Sequence, residues 1–540
     1  MTTHLCAAIM VESLDSALAQ AAQAAERGAD LVEFRIDQFV DDVDRVAELV
    51  QRCALPCIVT CRPTWEGGLY DGDDQARISL LEHIGTAARP PAYYDVELAT
   101  YQRSANLRQK VDLVVDHPGQ QREVSTGLIL STHDFKTRPS DLIQKIEHMA
   151  GADTCRIIKV AWPARSLRDN LEVFEIIEAK HKPTIALCMG EEGLASRVLA
   201  KKFGAFLTFA AVGDGTGTAI GQPTLEQIKR LYRWDDINAD TRVYGVIGYP
   251  VAQSMSPAIH NAGFDQTGFN GVYLPMPIPP EYEHFKATVG SYLDYKSLHF
   301  RGASVTIPHK QNLLRFVRES GGDIEPLAKT IGAANTLTVR DDGSLYASNT
   351  DYDGALGAVC DGMGVSREGL SDKRVAVIGA GGAARAIVAG FAHCGATVVV
   401  YNRTFGKAQQ LADEFDGKTG QVVAARLEKL CDSCCHVFIN CTPIGMHPNV
   451  DATPVPTAPT GKGAIGGKGW GEGTVVFDTI YNPIETRLLR EARAAGCTTI
   501  SGTDMFTRQA AGQFKLWTNR DAPIDVFKRV LKERLEAMGE

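Results

Sequence analysis

No apolar run in this chain approaches the roughly 18 residues that suggest a membrane span. There is no basic stripe, and the net charge of -9 argues against a nucleic-acid partner. Internal repeats and heptad arrays are absent, which excludes solenoids and coiled coils. Thirteen cysteines are scattered through apolar runs, a pattern of buried thiols in a reducing compartment rather than a disulfide framework. Their one cluster, CDSCC (431–435), lacks a second ligand pair at zinc-like spacing, so no metal is expected. The first strand starts almost at Met1, leaving no room for a signal or transit peptide. That predicts a cytoplasmic chain, with a plastid location as the alternative if a transit peptide is missing from the numbering. Nothing in one chain marks an oligomer interface.

What is present is too long for one core: 540 residues predict two or three domains. Eight short apolar runs fill the first two hundred or so residues: 5–10, 31–36, 57–62, 92–98, 127–132, 155–160, 184–189 and 205–211. Helix-like stretches separate most of them. This is the rhythm of an α/β (β/α)₈ barrel, whose chemistry sits at the C-terminal strand ends. At those ends stand Glu33, Arg35, Arg62, Glu66, His133, Lys159, Arg197 and Gln222.

Lys159 lies in RIIKVAW. Apolar neighbours would desolvate it, lower its pKa and free the amine as a nucleophile for a carbonyl. A lysine snorkelling to a barrel rim is the other reading. His133 ends the fifth run, beside the sixth, and can move protons at neutral pH. Arg35, Arg62 and Arg197 on one rim suggest an anionic substrate, because arginine forks hold carboxylates. Glu66 could orient His133, and Glu33 could hold Arg35 or substrate hydroxyls.

VEFR, TCRPTWEGG, STHDF, RIIKVA, the SRV of GLASRV and FLTFAAVGDGTGTAIGQPT resemble type I 3-dehydroquinate dehydratase over about 1–230. The resemblance implies an imine between Lys159 and the substrate ketone. His133 then removes a proton from the adjacent carbon and protonates the departing hydroxyl. Glu66 pairs with His133, and Arg197 holds the carboxylate. Glu33, Arg35, Arg62, Thr218 and Gln222 line the pocket. The last loop departs from the family: Thr218 and Ile220 stand where Ser and Pro are usual, which loosens the turn.

The barrel rhythm ends with a helix at about 224–233, and 234–240 is a short acidic linker. From about 373, strand RVAVIGA runs into a Gly-rich turn and a helix. Gly379, Ala380, Gly381, Gly382 and Ala383 form that turn, and small Ala384 completes the dinucleotide pattern. The next strand ends at Asn402-Arg403-Thr404, with no acid for an NAD ribose. This favours a 2′-phosphate and hence NADP, with Lys407 adding to the site. A helix-capping surface charge is the other reading of Arg403. Before this fold, Ser254, Ser256, Thr306, Lys310, Asn335, Thr350 and Asp351 exceed what a packed core needs. Lys310 with Asp351 is equally an acid–base pair or a structural ion pair.

GYPVAQSMSPAIHN, ASVTIPHK, IGAANT, SNTDYDG, GAGGAAR, NRT, INCTPIGM, DTIYNPIETRLL and MFTRQAAGQF together resemble shikimate dehydrogenase from about 241 to the end. The resemblance implies that NADPH reduces 3-dehydroshikimate to shikimate. Ser254, Ser256, Thr306, Asn335, Asp351 and Gln509 would hold substrate, with Tyr481 and Gln513 near it. Lys310 and Asp351 would be the catalytic pair. Residues 379–384, Asn402, Arg403 and Thr404 would bind NADP, and Asn440 and Thr442 would flank the nicotinamide. Gln253 and Ser304 stand where His and Asn are usual, and are expected to support turns rather than touch substrate. The expected domains are 1–233 (barrel), 234–240 (linker), 241–355 (substrate-binding), 356–503 (Rossmann) and 504–540 (helices returning to the substrate domain). Dehydratase before dehydrogenase resembles the fused enzymes of the shikimate pathway in aromatic amino-acid biosynthesis. A dehydratase fused to a quinate dehydrogenase is the alternative.

Overall fold

The computed structural model describes residues 2–85, 89–115, 126–219, 221–432, 435–455 and 470–539. Ile220, part of the CDSCC run and most of the loop expected at 452–473 lie outside them. Two compact units emerge: Met1–Arg242 with Asn270–Ile278 and Ala287–His299, and Val243–Phe269 with Pro279–Lys286 and Phe300–Glu540. No described helix is long and apolar enough to cross a membrane.

In the first unit, eight parallel strands alternate with helical segments. They are β1 (His4–Met10), β2 (Leu31–Arg35), β3 (Cys57–Thr60), β4 (Tyr93–Glu97), β5 (Gly127–His133), β6 (Cys155–Pro163), β7 (Thr184–Met189) and β8 (Leu207–Ala211). Neighbours pair in sequence order, and β8 returns to β1. The ring closes where the Phe206 N–H donates to the Thr184 carbonyl at 2.8 Å. Inward side chains of a barrel stack in layers supplied by alternate strands. Cys6, Ile58, Ile129 and Ile185, from β1, β3, β5 and β7, make a buried apolar layer. The period of two along a strand places Glu33, Asp95, Lys159 and Phe209, from β2, β4, β6 and β8, nearer the C-terminal mouth. The apolar floor therefore fixes the barrel, and the first layer above it carries charge. The helix expected at 224–233 is present, with its Gln227–Leu231 stretch wound as a π-helix.

The second unit contains a mixed sheet and a parallel one. In the mixed sheet Arg242–Gly248 runs parallel to Phe300–Val305, which is antiparallel to Thr336–Val339. Leu345–Ser348 follows, antiparallel again, and Asp323–Ile324 pairs with it in parallel. In the parallel sheet the order is Val422–Arg426, Thr397–Asn402, Arg374–Ile378, Val437–Asn440, Val475–Asp478, Thr498–Ile500. That is the 3-2-1-4-5-6 order of a dinucleotide-binding sheet, with its crevice where the order reverses. Both faces are buried, Val375, Val377, Val398 and Val400 on one and Ala376, Ile378, Val399 and Tyr401 on the other. Such two-sided burial explains why these strands read as continuous apolar runs. Helix Gly502–Thr518 starts at a Ser501/Asp504 capping box. Its Trp517 Nε1 donates to the Leu337 carbonyl at 3.0 Å, tying it to the mixed sheet.

Candidate active sites

In the barrel, Lys159 pairs in register with Ser131, and His133 lies two residues further along the same strand. The two therefore share a face of the barrel wall. The surroundings of Lys159 are not the apolar ones its sequence neighbours suggest. Its Nζ donates to Asp95 Oδ2 at 2.7 Å and Glu33 Oε1 at 2.9 Å, and lies 4.6 Å from the Phe209 ring centroid. Glu33 also accepts from Thr60 Oγ1 at 2.8 Å, so it serves the lysine and not Arg35. The flanking valine and isoleucine point to the outer face, and the inward neighbours come from other strands.

Two of the three rim arginines are already committed. Arg35 is paired with Asp37 at 2.6 Å. Arg62 is bonded to Glu97 at 2.7 Å, Ser131 Oγ at 2.8 Å and Asp95 at 2.9 Å. Burial works against the Arg62 charge, but Asp95 and Glu97 more than offset it and raise its pKa. Asp95 is held well below the usual carboxylate range by Arg62 and Lys159, despite its burial. Arg197 is different. It is 1% exposed, and among the described residues its Nε and Nη2 have no hydrogen-bond partner. Burial pushes its pKa down to about 10. A buried guanidinium without a counter-charge is costly, and it favours an anion entering the pocket.

Glu66 ends a short turn, Thr64–Glu66, followed by Gly67 at φ 75°. That positive φ is one that residues with a side chain rarely adopt, which is why glycine stands there. Glu66 Oε1 lies 2.9 Å from His133 Nδ1 and accepts the His133 backbone N–H at 2.9 Å. Burial raises the Glu66 carboxyl to about 8. The His133 ring is pushed well below its usual value by burial, then by the charges of Arg62 and Lys159. Both effects favour the neutral imidazole. Glu33, Arg35, Arg62, His133, Lys159, Arg197, Thr218 and Gln222 all line one pocket. Thr218 donates to Gln222 Oε1 from its backbone N–H at 3.0 Å, while the buried Gln222 Nε2 has no described partner. Glu66 touches His133 from behind the pocket wall. Sequence reasoning missed Asp95 and Glu97. The signal was the DVE of strand β4, two acids at the spacing that faces one side.

The second unit has a cavity of about 560 Å³ lined by Ser254, Ser256, Thr306, Lys310, Asn335, Asp351, Tyr481, Gln509 and Gln513. Asn349 caps helix Thr350–Met363 by accepting the Asp351 backbone N–H, which puts Asp351 in the first helical turn. Lys310 opens helix Lys310–Glu319, and its Nζ donates to Asp351 Oδ2 at 2.6 Å. Asn335 Nδ2 donates to Asp351 Oδ1 at 2.9 Å. Asn335 also bridges to Gln509 Oε1 at 3.4 Å. Gln253 and Ser304, expected to support turns, both line the cavity. Ser304 Oγ donates to Gln513 Oε1 at 3.0 Å, and Gln513 Nε2 donates to Thr336 Oγ1 at 3.1 Å. Gln513 is thereby fixed from both ends.

The Gly-rich turn follows strand Arg374–Ile378. Gly379 has φ 116°, and a Cβ there would lie 3.0 Å from the Cys441 carbonyl. Around Gly381 and Gly382 nothing lies within 4 Å of where a Cβ would be. This open turn at a helix N-terminus is the cradle a pyrophosphate fits. Ala383 reaches the substrate cavity itself. Asn402 ends the adjacent strand, Arg403 and Thr404 follow it, and Lys407 lies in the first turn of the next helix, the last three exposed. Asn440, expected to flank the nicotinamide, is fully buried at the end of its strand. It donates to Asp478 at 3.0 Å and accepts from Thr442 Oγ1 at 2.7 Å, so it shapes the loop that carries Thr442. Asp478, raised to about 6 by burial, was not legible in the sequence as part of this support.

Comparison with known proteins matches each part in turn. Residues 5–239 match type I 3-dehydroquinase. Residues 246–337 match the shikimate dehydrogenase substrate binding domain, 365–443 shikimate / quinate 5-dehydrogenase, and 502–532 the shikimate 5'-dehydrogenase C-terminal domain. A shikimate dehydrogenase (NADP(+)) of Methanosarcina mazei is 40% identical over 55% of this chain and 99% of its own. A solved dehydroquinate dehydratase and shikimate dehydrogenase from S. pombe is 22% identical, with a TM-score of 0.43 over 98% of each chain. The bifunctional 3-dehydroquinate dehydratase/shikimate dehydrogenase of Arabidopsis thaliana, a chloroplastic protein, is 37% identical over 98% of this chain and 84% of its own. With that identity along nearly its whole length, the chain belongs to the family of bifunctional 3-dehydroquinate dehydratases/shikimate dehydrogenases.

Proposed function

We propose that the barrel dehydrates 3-dehydroquinate to 3-dehydroshikimate and that the second unit reduces this ketone to shikimate with NADPH. The observation that carries the reading is the presence of two complete polar pockets in a chain whose family performs both reactions.

In the first reaction Lys159 Nζ, relieved of a proton by a neighbouring carboxylate, adds to the substrate ketone, and loss of water gives an imine. The imine draws electrons from the adjacent carbon. Neutral His133 takes that carbon's proton, then gives a proton to the departing hydroxyl, for a syn loss of water. Water hydrolyses the product imine and restores Lys159. Arg197 holds the carboxylate, and Glu66 orients the imidazole. Arg62 acts mainly by fixing Asp95.

In the second reaction NADPH supplies the hydride when bound. The 379–384 turn, Arg403, Thr404 and Lys407 would hold it. Lys310, kept in place by Asp351, delivers the proton to the carbonyl oxygen. Asn335, Gln509, Ser254, Ser256 and Thr306 hold the ring hydroxyls and carboxylate. We place the chain in the cytoplasm, with a plastid as the alternative. The described cysteines are all free thiols, which supports a reducing compartment.

Incubation with 3-dehydroquinate and NADPH, followed by chromatography, tests both reactions. Shikimate is expected. Quinate alone would overturn the assignment of the second substrate. Borohydride added with 3-dehydroquinate should attach product mass to Lys159, and absence of that mass would overturn the imine.

A further inference from the structure

We propose that Arg426 is a third cation of the 2′-phosphate subsite and helps the second unit choose NADPH over NADH. This deepens the NADPH reading and rests on it. Parallel pairing sets Arg426, the last residue of Val422–Arg426, opposite Asn402 on the neighbouring strand. Neighbouring strands lie about 4.8 Å apart, so its Cα is one strand spacing from the Asn402-Arg403-Thr404 corner.

The local charge pattern makes no sense as helix stabilisation. Helix Phe405–Phe415 has no acid in its first turn, but Arg403 precedes it and Lys407 lies within that turn. Cations at a helix N-terminus oppose the macrodipole. Thr404, the N-cap residue, makes no side-chain cap hydrogen bond, leaving its hydroxyl for another acceptor. Among the described residues, Arg403, Lys407 and Arg426 have no side-chain ion pair or hydrogen bond. All three are exposed. The Arg426 guanidinium instead rests over the Phe405 ring, with Cζ 5.2 Å from the centroid. Stacking orders the fork and leaves its N–H edges unused. Three cations and a free hydroxyl around one strand end suit a dianionic phosphate ester, and an unphosphorylated ribose gives them no charge to meet.

The test measures NADPH and NADH dissociation constants for full-length wild type, Arg426→Gln and Arg403→Gln, with thermal melting to check the fold. Arg426→Gln should weaken NADPH about tenfold, leave NADH within about twofold, and flatten the salt dependence of NADPH binding. Equal weakening of both cofactors, or no change for NADPH, would overturn the role of Arg426. If Arg403→Gln alone lowers the NADPH preference, only this inference fails. If neither substitution does, the NADPH subsite itself is misplaced. Arg426→Lys, which keeps charge and loses the fork, should fall between wild type and Arg426→Gln.

Discussion

One carboxylate oxygen of Glu66 serves both ends of His133: it accepts the backbone N–H at 2.9 Å and lies 2.9 Å from the ring Nδ1. Strand end and imidazole are locked together by one side chain. Burial penalises charge on both partners, raising Glu66 to about 8 and lowering His133.

That arrangement couples activity to stability. Glu66 has a folded pKa above its ordinary value, so its protonated form stabilises the fold at low pH. This contribution is lost as pH rises from about 4.5 to about 8. Glu66→Gln removes the ionisation. It should resist urea better than wild type at pH 8 and match it below pH 4.5, while dehydratase kcat falls roughly 10²-fold. A variant less stable than wild type at pH 8 would mean that the carboxylate holds the strand end more strongly than its burial costs.

Lys159 is the cation between Glu33 and Asp95. Lys159→Met should abolish borohydride trapping and, by leaving buried carboxylates uncompensated, cost roughly 3 kcal/mol of barrel stability. Denaturant unfolding followed by loss of barrel signal measures this. Unchanged stability would show that Arg62 alone suffices to hold Asp95.

Arg197 should behave in the opposite way. Its guanidinium has unpartnered Nε and Nη2 in the described structure. Arg197→Met should raise the KM for 3-dehydroquinate about 100-fold yet leave the urea midpoint equal or higher, because an uncompensated buried charge is removed. A lowered midpoint with unchanged KM would assign Arg197 to packing.

In the second unit, Lys310→Met should lower the kcat of ketone reduction roughly 10²- to 10³-fold, with the KM for NADPH within about twofold. Steady-state kinetics at saturating 3-dehydroshikimate provide the check. A loss confined to the KM for substrate would make Lys310 a binding residue and not the acid.

Much of this architecture was legible before any coordinates. Eight apolar runs matched eight strands within a few residues, because a strand buried on both faces has little choice but continuous apolar sequence. The Gly379 turn was readable because only glycine tolerates its backbone and the nearby Cys441 carbonyl. The helix at 224–233 was readable from its apolar period, but its π winding over Gln227–Leu231 was not, because the period does not say which carbonyl each N–H reaches. Gln253 and Ser304 read as turn supports in the sequence, because position along the chain does not say which cavity a side chain lines.

Order along the chain was enough to read the barrel, the dinucleotide-binding sheet and which polar residues were too many for a core. Strand periodicity and glycine geometry are local, so they survive in one dimension. The distribution of charge among those residues follows instead from contacts made on folding. Asp95 and Glu97 meet Lys159 and Arg62 from different strands and loops, and pairing across a barrel leaves no mark in spacing. That pairing commits Arg62 to its neighbours and leaves Arg197, among the described residues, with Nε and Nη2 unpartnered, and under the proposed function this difference separates the frame of the pocket from the group offered to the substrate carboxylate.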